Sequence, residues 1–304
     1  MSRFDVIDLS QLPPPAVVEE LDYEAIRQAM LDDFRTRWPE YDAGVLESDP
    51  AVKLLEVAAY REMLLRARVN DAARAVMLAS AKGSDLDHLG ALYGVERKLL
   101  DAGDPEAAPP VAPTWEPDEE YRRRVQLAVE AFSTCGPEGA YLFHALSAHP
   151  DIVDAGVARM IESTADGMRR VIVQVTVLVR DGDGMPAAEV LDAVRTHLDR
   201  DDVRPLTDEV VVTPPKIVRY DIITRLRLAR GPDPEVVRER ASAQVTAYAA
   251  QRRRIGKDVH ISGIIAAAQV EGVEAVEVLA PTADIDPGEL GVAVVDNVNV
   301  EVAA

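Results

Sequence analysis

Between Asp49 and Lys82 the chain reads DPAVKLLEVAAYREMLLRARVNDAARAVMLASAK. Leu54, Ala58, Leu65, Val69, Ala72, Val76 and Ala79 recur there at three-, four- and seven-residue steps, the spacing that lines one side of an α-helix. Asp49 suits the N-cap and Pro50 the first helical position, where a missing N–H costs nothing. Gly83 ends the pattern, so the sequence predicts one helix over 49–82, about 50 Å long. Further apolar residues lie elsewhere on it: Leu55, Ala59, Ala73 and Met77 on one face, Val57, Leu64 and Ala75 on another. One neighbour cannot cover all of them, which points to a helical bundle shared with other chains; the competing reading is a central helix inside an ordinary globular domain. Lys53, Glu56, Arg61, Glu62, Arg66, Arg68, Asp71 and Arg74 are threaded along the same segment. Charges of that number exclude a membrane span.

Upstream, MSRFDVIDLSQLPPPAVV has no basic region followed by an unbroken apolar core, so it does not read as a secretory signal. Pro13, Pro14 and Pro15 stiffen it into an extended arm, and Tyr23 to Trp38 then reads as a helix ended by Pro39. Downstream, Ser84 is expected to cap a short helix that closes at Gly94. The Pro-, Ala- and acid-rich stretch Asp101 to Pro117 reads as a linker. DEEYRRRVQLAVEAF, from Asp118, is a helix broken at CGPEGA, and a second helix covers Tyr141 to Ala148.

From Asp151 the period changes. IVDAGVARMI and MRRVIVQVTVLVR read as strands, DGDGMP as a loop, and Ala187 to Arg200 as a helix with its stripe at Val190, Val194 and Leu198. EVVVTPP and KIVRYDIITRLRLAR are strands divided at Pro214 and Pro215. Helices over Pro234–Arg254 and Ile261–Val270 and strands over Val273–Ala280 and Val292–Val302 complete the chain. The order helix, strand, turn, strand recurs at 141–180 and 261–302. The expected fold class is therefore multi-domain α+β, an N-terminal helical region with one long helix followed by two small α+β modules. Its parts are an extended arm over 1–20, a helical bundle-forming domain over 21–100, the linker 101–117, and modules over 118–215 and 216–304.

Composition narrows the function. With 48% hydrophobic and 28% charged residues the 304-residue chain is ordinary for a soluble protein of two or three domains. A net charge of −20 argues against nucleic acid, whose phosphates need a basic surface, and against an anionic membrane. The single cysteine, Cys135, excludes an internal disulfide and any thiolate metal cluster built from this chain alone. Folding is expected in a reducing cytoplasm.

Residues that invite a chemical reading give no constellation. His144 and His149 are five apart, off one helical face, with no partner at metal-helix spacing. Asp181 and Asp183 begin like a calcium loop, but Met185 and Pro186 fall where a ligand and a glycine are needed. Gly136 and Gly139 lack the strand and the lysine of a phosphate loop. Asp32–Asp33 and Asp201–Asp202 lack the flanking groups that position a sugar. No catalytic residue, metal or cofactor is expected.

The run ESDPAVKLLEVAAYREMLLRARVNDAARAVMLASAKGSDLDHLGALYGVER (47–97) closely resembles the baseplate assembly protein J family of contractile-tailed bacteriophages and phage-tail-like bacteriocins. DEEYRRRVQLAVEAFSTCGPEGAYLFHALSAHPDI (118–152), DDVRPLTDEVVV (201–212) and RRIGKDVHISGIIAAAQVEGVEAVEVLAPTADI (253–285) resemble it in the same order. The resemblance implies a wedge subunit of a tail baseplate that works in pairs and joins a sixfold ring around the central hub, passing conformational change to sheath contraction. The implied partners are a second copy within each wedge, neighbouring wedge proteins, adjacent wedges, and hub or sheath-initiating proteins, assembled in the host cytoplasm. The interface expected on the long helix comprises Leu54, Ala58, Arg61, Leu65, Arg66, Val69 and Val76. Two alternatives stand beside it: a DNA-binding regulator using the helical pair near 84–94, which needs a basic face, and a tail-associated hydrolase, which needs an active site.

Overall fold

The computed structural model describes residues 7–40, 49–132, 137–163, 169–205, 208–231 and 233–303, in two compact units that divide after Arg97. Cys135, Gly136 and the first six residues of the arm lie outside the described residues.

The first unit holds three helices: α1 (Tyr23–Arg37), α2 (Pro50–Ala75) and α3 (Gly83–Ala91). Asp22 caps α1 by accepting from the backbone N–H of Glu24 and Ala25, and Asp49 caps α2 by accepting from Ala51. Helix α1 lies along α2, burying Ile26, Leu31, Val52 and Ala59. Asn70, also buried, accepts from the Glu19 N–H at 3.0 Å and donates to the Glu19 carbonyl at 2.8 Å, tying the segment before α1 to α2. The arm is not extended throughout: Leu9–Gln11 forms a 3₁₀ turn, and the Val18 N–H bonds the Pro15 carbonyl.

The long helix stops at Ala75, seven residues short of the expected end. The Ser80 hydroxyl takes the Arg74 carbonyl at 2.8 Å, and the N–H groups of Ser80 and Ala81 both turn back to Met77. Those bonds satisfy carbonyls that a further helical turn would have used. AVMLASAK has no helix breaker, so propensity alone runs through it. Helix α2 is thus about 39 Å long. Helix α3 begins at Gly83, with Lys82 at the cap position and no side-chain cap, rather than behind Ser84. The φ of +51° at Gly83, cheap only for glycine, turns the chain directly into the helix.

The second unit opens with a short antiparallel ladder of β1 (Leu99–Asp101) and β2 (Thr114–Trp115), so the Pro- and Ala-rich segment is a hairpin at its base. Helices α4 (Asp118–Leu127) and α5 (Glu138–Ser147) come after it. A three-stranded sheet is next, with β4 (Arg169–Val179) between antiparallel β3 (Ile152–Ser163) and parallel β5 (Glu209–Thr213). Helix α6 (Ala188–Leu198) makes the crossover from β4 to β5 and buries Val190, Val194 and Leu198, the three positions its sequence spacing marks.

A second three-stranded sheet has β6 (Lys216–Leu228) between antiparallel β7 (Val273–Ala280) and parallel β8 (Gly291–Val302). Helices α7 (Pro234–Arg252) and α8 (Ile261–Ala268) cover it through Val237, Ala241, Val245, Ala249 and Ile264, packed on Ile222 and Leu226. The repeated order at 141–180 and 261–302 holds in sequence but not in pairing. Strands β3 and β4 are neighbours, whereas β6 lies between β7 and β8.

The two sheet modules share a seam. Leu178 packs with Ile255, Val292 and Val294, joined by Val153, Ile217 and Leu290. The Ile255 N–H donates to Asp154 Oδ2 at 2.7 Å, while Arg253 donates to the carbonyls of Arg180 and Gly182. Arg219 bridges Asp183 and Asp296.

Candidate interaction surface

Packing against α1 occupies one side of α2, and the opposite side is apolar and open. Leu54 is 72% exposed, Leu65 68% and Val76, the C-cap residue, 70%. Val57, Tyr60, Leu64 and Val69 are also exposed on this helix. At 100° per residue they form two stripes, Tyr60, Leu64 and Val57 in one and Leu54, Ala58, Leu65, Val69 and Val76 in the other. Arg61 and Arg68 stand between the stripes. A helix that buried only its α1-facing side would carry polar residues here.

Of the interface residues expected from sequence, Leu54, Ala58, Arg61, Leu65, Val69 and Val76 fall on this open half. Arg66 does not: it sits about 100° round the helix from Leu65, paired with Glu62 at 2.6 Å and Glu19 at 3.0 Å. Sequence reasoning names Val57 and Leu64 as a second apolar face of the helix but leaves them, with Tyr60, out of the expected interface. Beyond α3, Leu92 is 77% exposed and Tyr93 is exposed beside it. Helix α3 leads into β1 rather than into a recognition helix, so the 84–94 segment lacks the element that enters a DNA groove.

Several of the candidate chemical groups have partners close by. Asp183 accepts from Arg219 and from the Met185 N–H, Asp202 pairs with Arg200, and Asp33 pairs with Arg37. His149 accepts from the Asp151 N–H, its own neighbour in the turn. His144 faces His197 at 3.3 Å, Nδ1 to Nε2, between α5 and α6, with Phe143 edge-on. Burial, then the neighbouring His197, pushes His144 down to about 4, and burial lowers His197 as well. Sequence spacing could not reveal that pair, since 53 residues separate its members.

A group of buried charges lies where β1 and β2 meet α4 and α5. Arg124 clasps Glu116, and Lys98 directs its ammonium to the carbonyls of Leu146, His149 and Ile152. Burial pushes Lys98 down to about 8, the carboxylate of Glu116 opposing the shift. Every one of these groups is satisfied internally, and together they fasten the hairpin to the first sheet module. Among the described residues no three His, Cys, Asp or Glu side chains converge to hold a metal, and no helix is long and apolar enough to cross a membrane.

Three family models match the chain in order: the Baseplate J-like N-terminal domain over 47–104, the Baseplate J-like central domain over 133–214 and the Baseplate J-like protein C-terminal domain over 220–301. Baseplate protein J of Escherichia phage P2 is 42% identical over 286 residues, covering 92% of each chain.

Proposed function

Starting from the membership of this chain in the baseplate J family, which makes it a structural protein of the phage tail baseplate and not an enzyme, we propose that it acts as a wedge subunit. Two copies work together in each wedge, and the wedges close into a sixfold ring around the hub that passes conformational change to sheath contraction. Neighbouring wedge proteins and hub or sheath-initiating proteins are its other partners, and assembly takes place in the host cytoplasm. In this reading residues 21–100 form the bundle domain, 101–117 connect it onward, and 118–215 and 216–304 are the modules that meet adjacent wedges. The seam between those modules lets them turn as one body when the ring rearranges.

The observation that carries the reading is the open apolar half of α2. Exposed apolar side chains contiguous along one helix mark an association surface, and each such side chain, fully buried, stabilises a complex by about 1.5–3 kcal/mol. The test is co-expression with the other baseplate genes of the same cluster. Leu65→Glu with Val69→Glu is expected to abolish co-purification while near- and far-ultraviolet circular dichroism stay native. Normal recovery of the complex with that double variant contradicts the reading.

A further inference from the structure

Helices α5 and α6 bring together two of the chain's five histidines. His144 Nδ1 stands 3.3 Å from His197 Nε2, and the rings, 5.4 Å apart between centroids and inclined at 43°, meet nitrogen to nitrogen rather than face to face. An N–H donated from one ring to the other is the plain explanation of such a pair, but 3.3 Å lies outside the roughly 2.7–3.2 Å that an N–H donor ordinarily keeps from its acceptor. Another arrangement matches the spacing better. Two nitrogens bound to one tetrahedral zinc at about 2.0–2.1 Å stand roughly 3.3–3.4 Å apart.

The surroundings favour a cation at that point. His144 lies in the last turn of α5 and His197 in the last turn of α6. The negative ends of two helix dipoles therefore converge on the pair. The nearby Arg200, which would oppose a cation, is bound to Asp202 at 2.6 Å, so its charge is offset. Burial keeps both imidazoles uncharged at neutral pH, and each offers a lone pair with no proton to displace. Phe143 flanks the His144 ring edge-on. Both histidines are only half-buried, which leaves the open side of the pair to water.

We propose that His144 and His197 form a binding site for one divalent transition-metal ion of the borderline class, zinc foremost, with water in the remaining positions. No third His, Cys, Asp or Glu joins them among the described residues, so binding is weaker than at a four-ligand structural site and the ion is exchangeable. The imidazoles select this class: hard magnesium and calcium take oxygen ligands, which the pair does not offer. Bound there, the ion ties α5 to α6, the crossover between β4 and β5, and fixes the first sheet module. The site is built within the second unit alone and does not depend on the assembly role of α2.

The experiment uses the full-length chain stripped of metal with EDTA and then dialysed. Zinc is expected to bind at one ion per chain in equilibrium dialysis and to raise the melting temperature further as its concentration rises, while magnesium and calcium leave it unchanged. His144→Gln and His197→Gln are each expected to abolish both effects. A variant with His88, His149 and His260 all changed to Gln is expected to keep both. Retention of zinc binding in either single variant, or its loss in the triple variant, overturns the proposal, as does a wild-type melting temperature that zinc fails to raise. Should any variant fail to fold, X-ray absorption of the zinc-loaded wild type decides: two imidazole ligands on the ion support the site, and any other number contradicts it.

Discussion

Arg124 grips Glu116 through two charge-assisted hydrogen bonds, Nε to Oε1 at 2.8 Å and Nη2 to Oε2 at 2.6 Å, with both side chains almost wholly buried. The pair closes the base of the β1–β2 hairpin on α4. Glu116 also accepts from the Lys98 N–H at 3.2 Å, so the same carboxylate holds both strands. Burial alone would raise the Glu116 pKa, but the Arg124 bonds outweigh it and the net direction is down. Arg124→Met leaves that carboxylate buried without its guanidinium. Such a loss destabilises by about 3–5 kcal/mol, read as an earlier urea transition of the second unit in the full-length chain. An unchanged midpoint would show that the pair is not the anchor of the hairpin.

His144 and His197 make the region between α5 and α6 sensitive to acid. Both have folded-state pKa values below the ordinary 6.5, His144 at about 4, so the folded chain holds fewer protons than the unfolded one between those limits. Their contribution is fully present above pH 6.5 and is lost as the pH falls from there toward 4. Melting temperatures measured from pH 7.5 to 4.5 are expected to fall more steeply for wild type than for His144→Gln. Parallel curves would remove this pair as the cause of acid sensitivity.

Gly156 is where β3 admits the second sheet module. A Cβ there would stand 2.5 Å from Ile255 Cγ2 and 3.2 Å from Leu290 Cδ2. Gly156→Ala is therefore expected to cost about 1–3 kcal/mol by overpacking. Ile255→Leu added to it should restore part of that loss, since the nearer clash is with the Ile255 Cγ2 methyl, which leucine lacks. A double-mutant cycle in urea gives the coupling directly. Additive losses would mean that β3 yields without pressing on the seam.

Much of the fold is legible in the sequence because its helices and strands are locally marked. Val190, Val194 and Leu198 announce the buried face of α6, and the alternation in MRRVIVQVTVLVR announces β4. The end of α2 is not legible, since a hydroxyl six residues beyond Arg74 decides it. The clasp of Glu116 by Arg124 and the pairing of His144 with His197 depend on contacts that only the folded chain makes. The same holds for β6, which enters between two strands that succeed each other in sequence. On α2 the heptad-like stripe is readable, and Arg66, one residue from Leu65 and about 100° round the helix, lies beside it in pairs with Glu62 and Glu19. Val57 and Leu64 are readable as a second apolar face, but that Tyr60 joins them in the open is seen only once α1 takes the other side.

A cryo-EM map of the assembled baseplate measures the central claim most directly. The expected result is that Leu54, Val57, Leu64, Leu65 and Val69 of α2 are covered by helices of other chains, two copies of this protein standing in each of six wedges. A map in which that face of α2 stays open to solvent, or is covered by other residues of its own chain, contradicts the account.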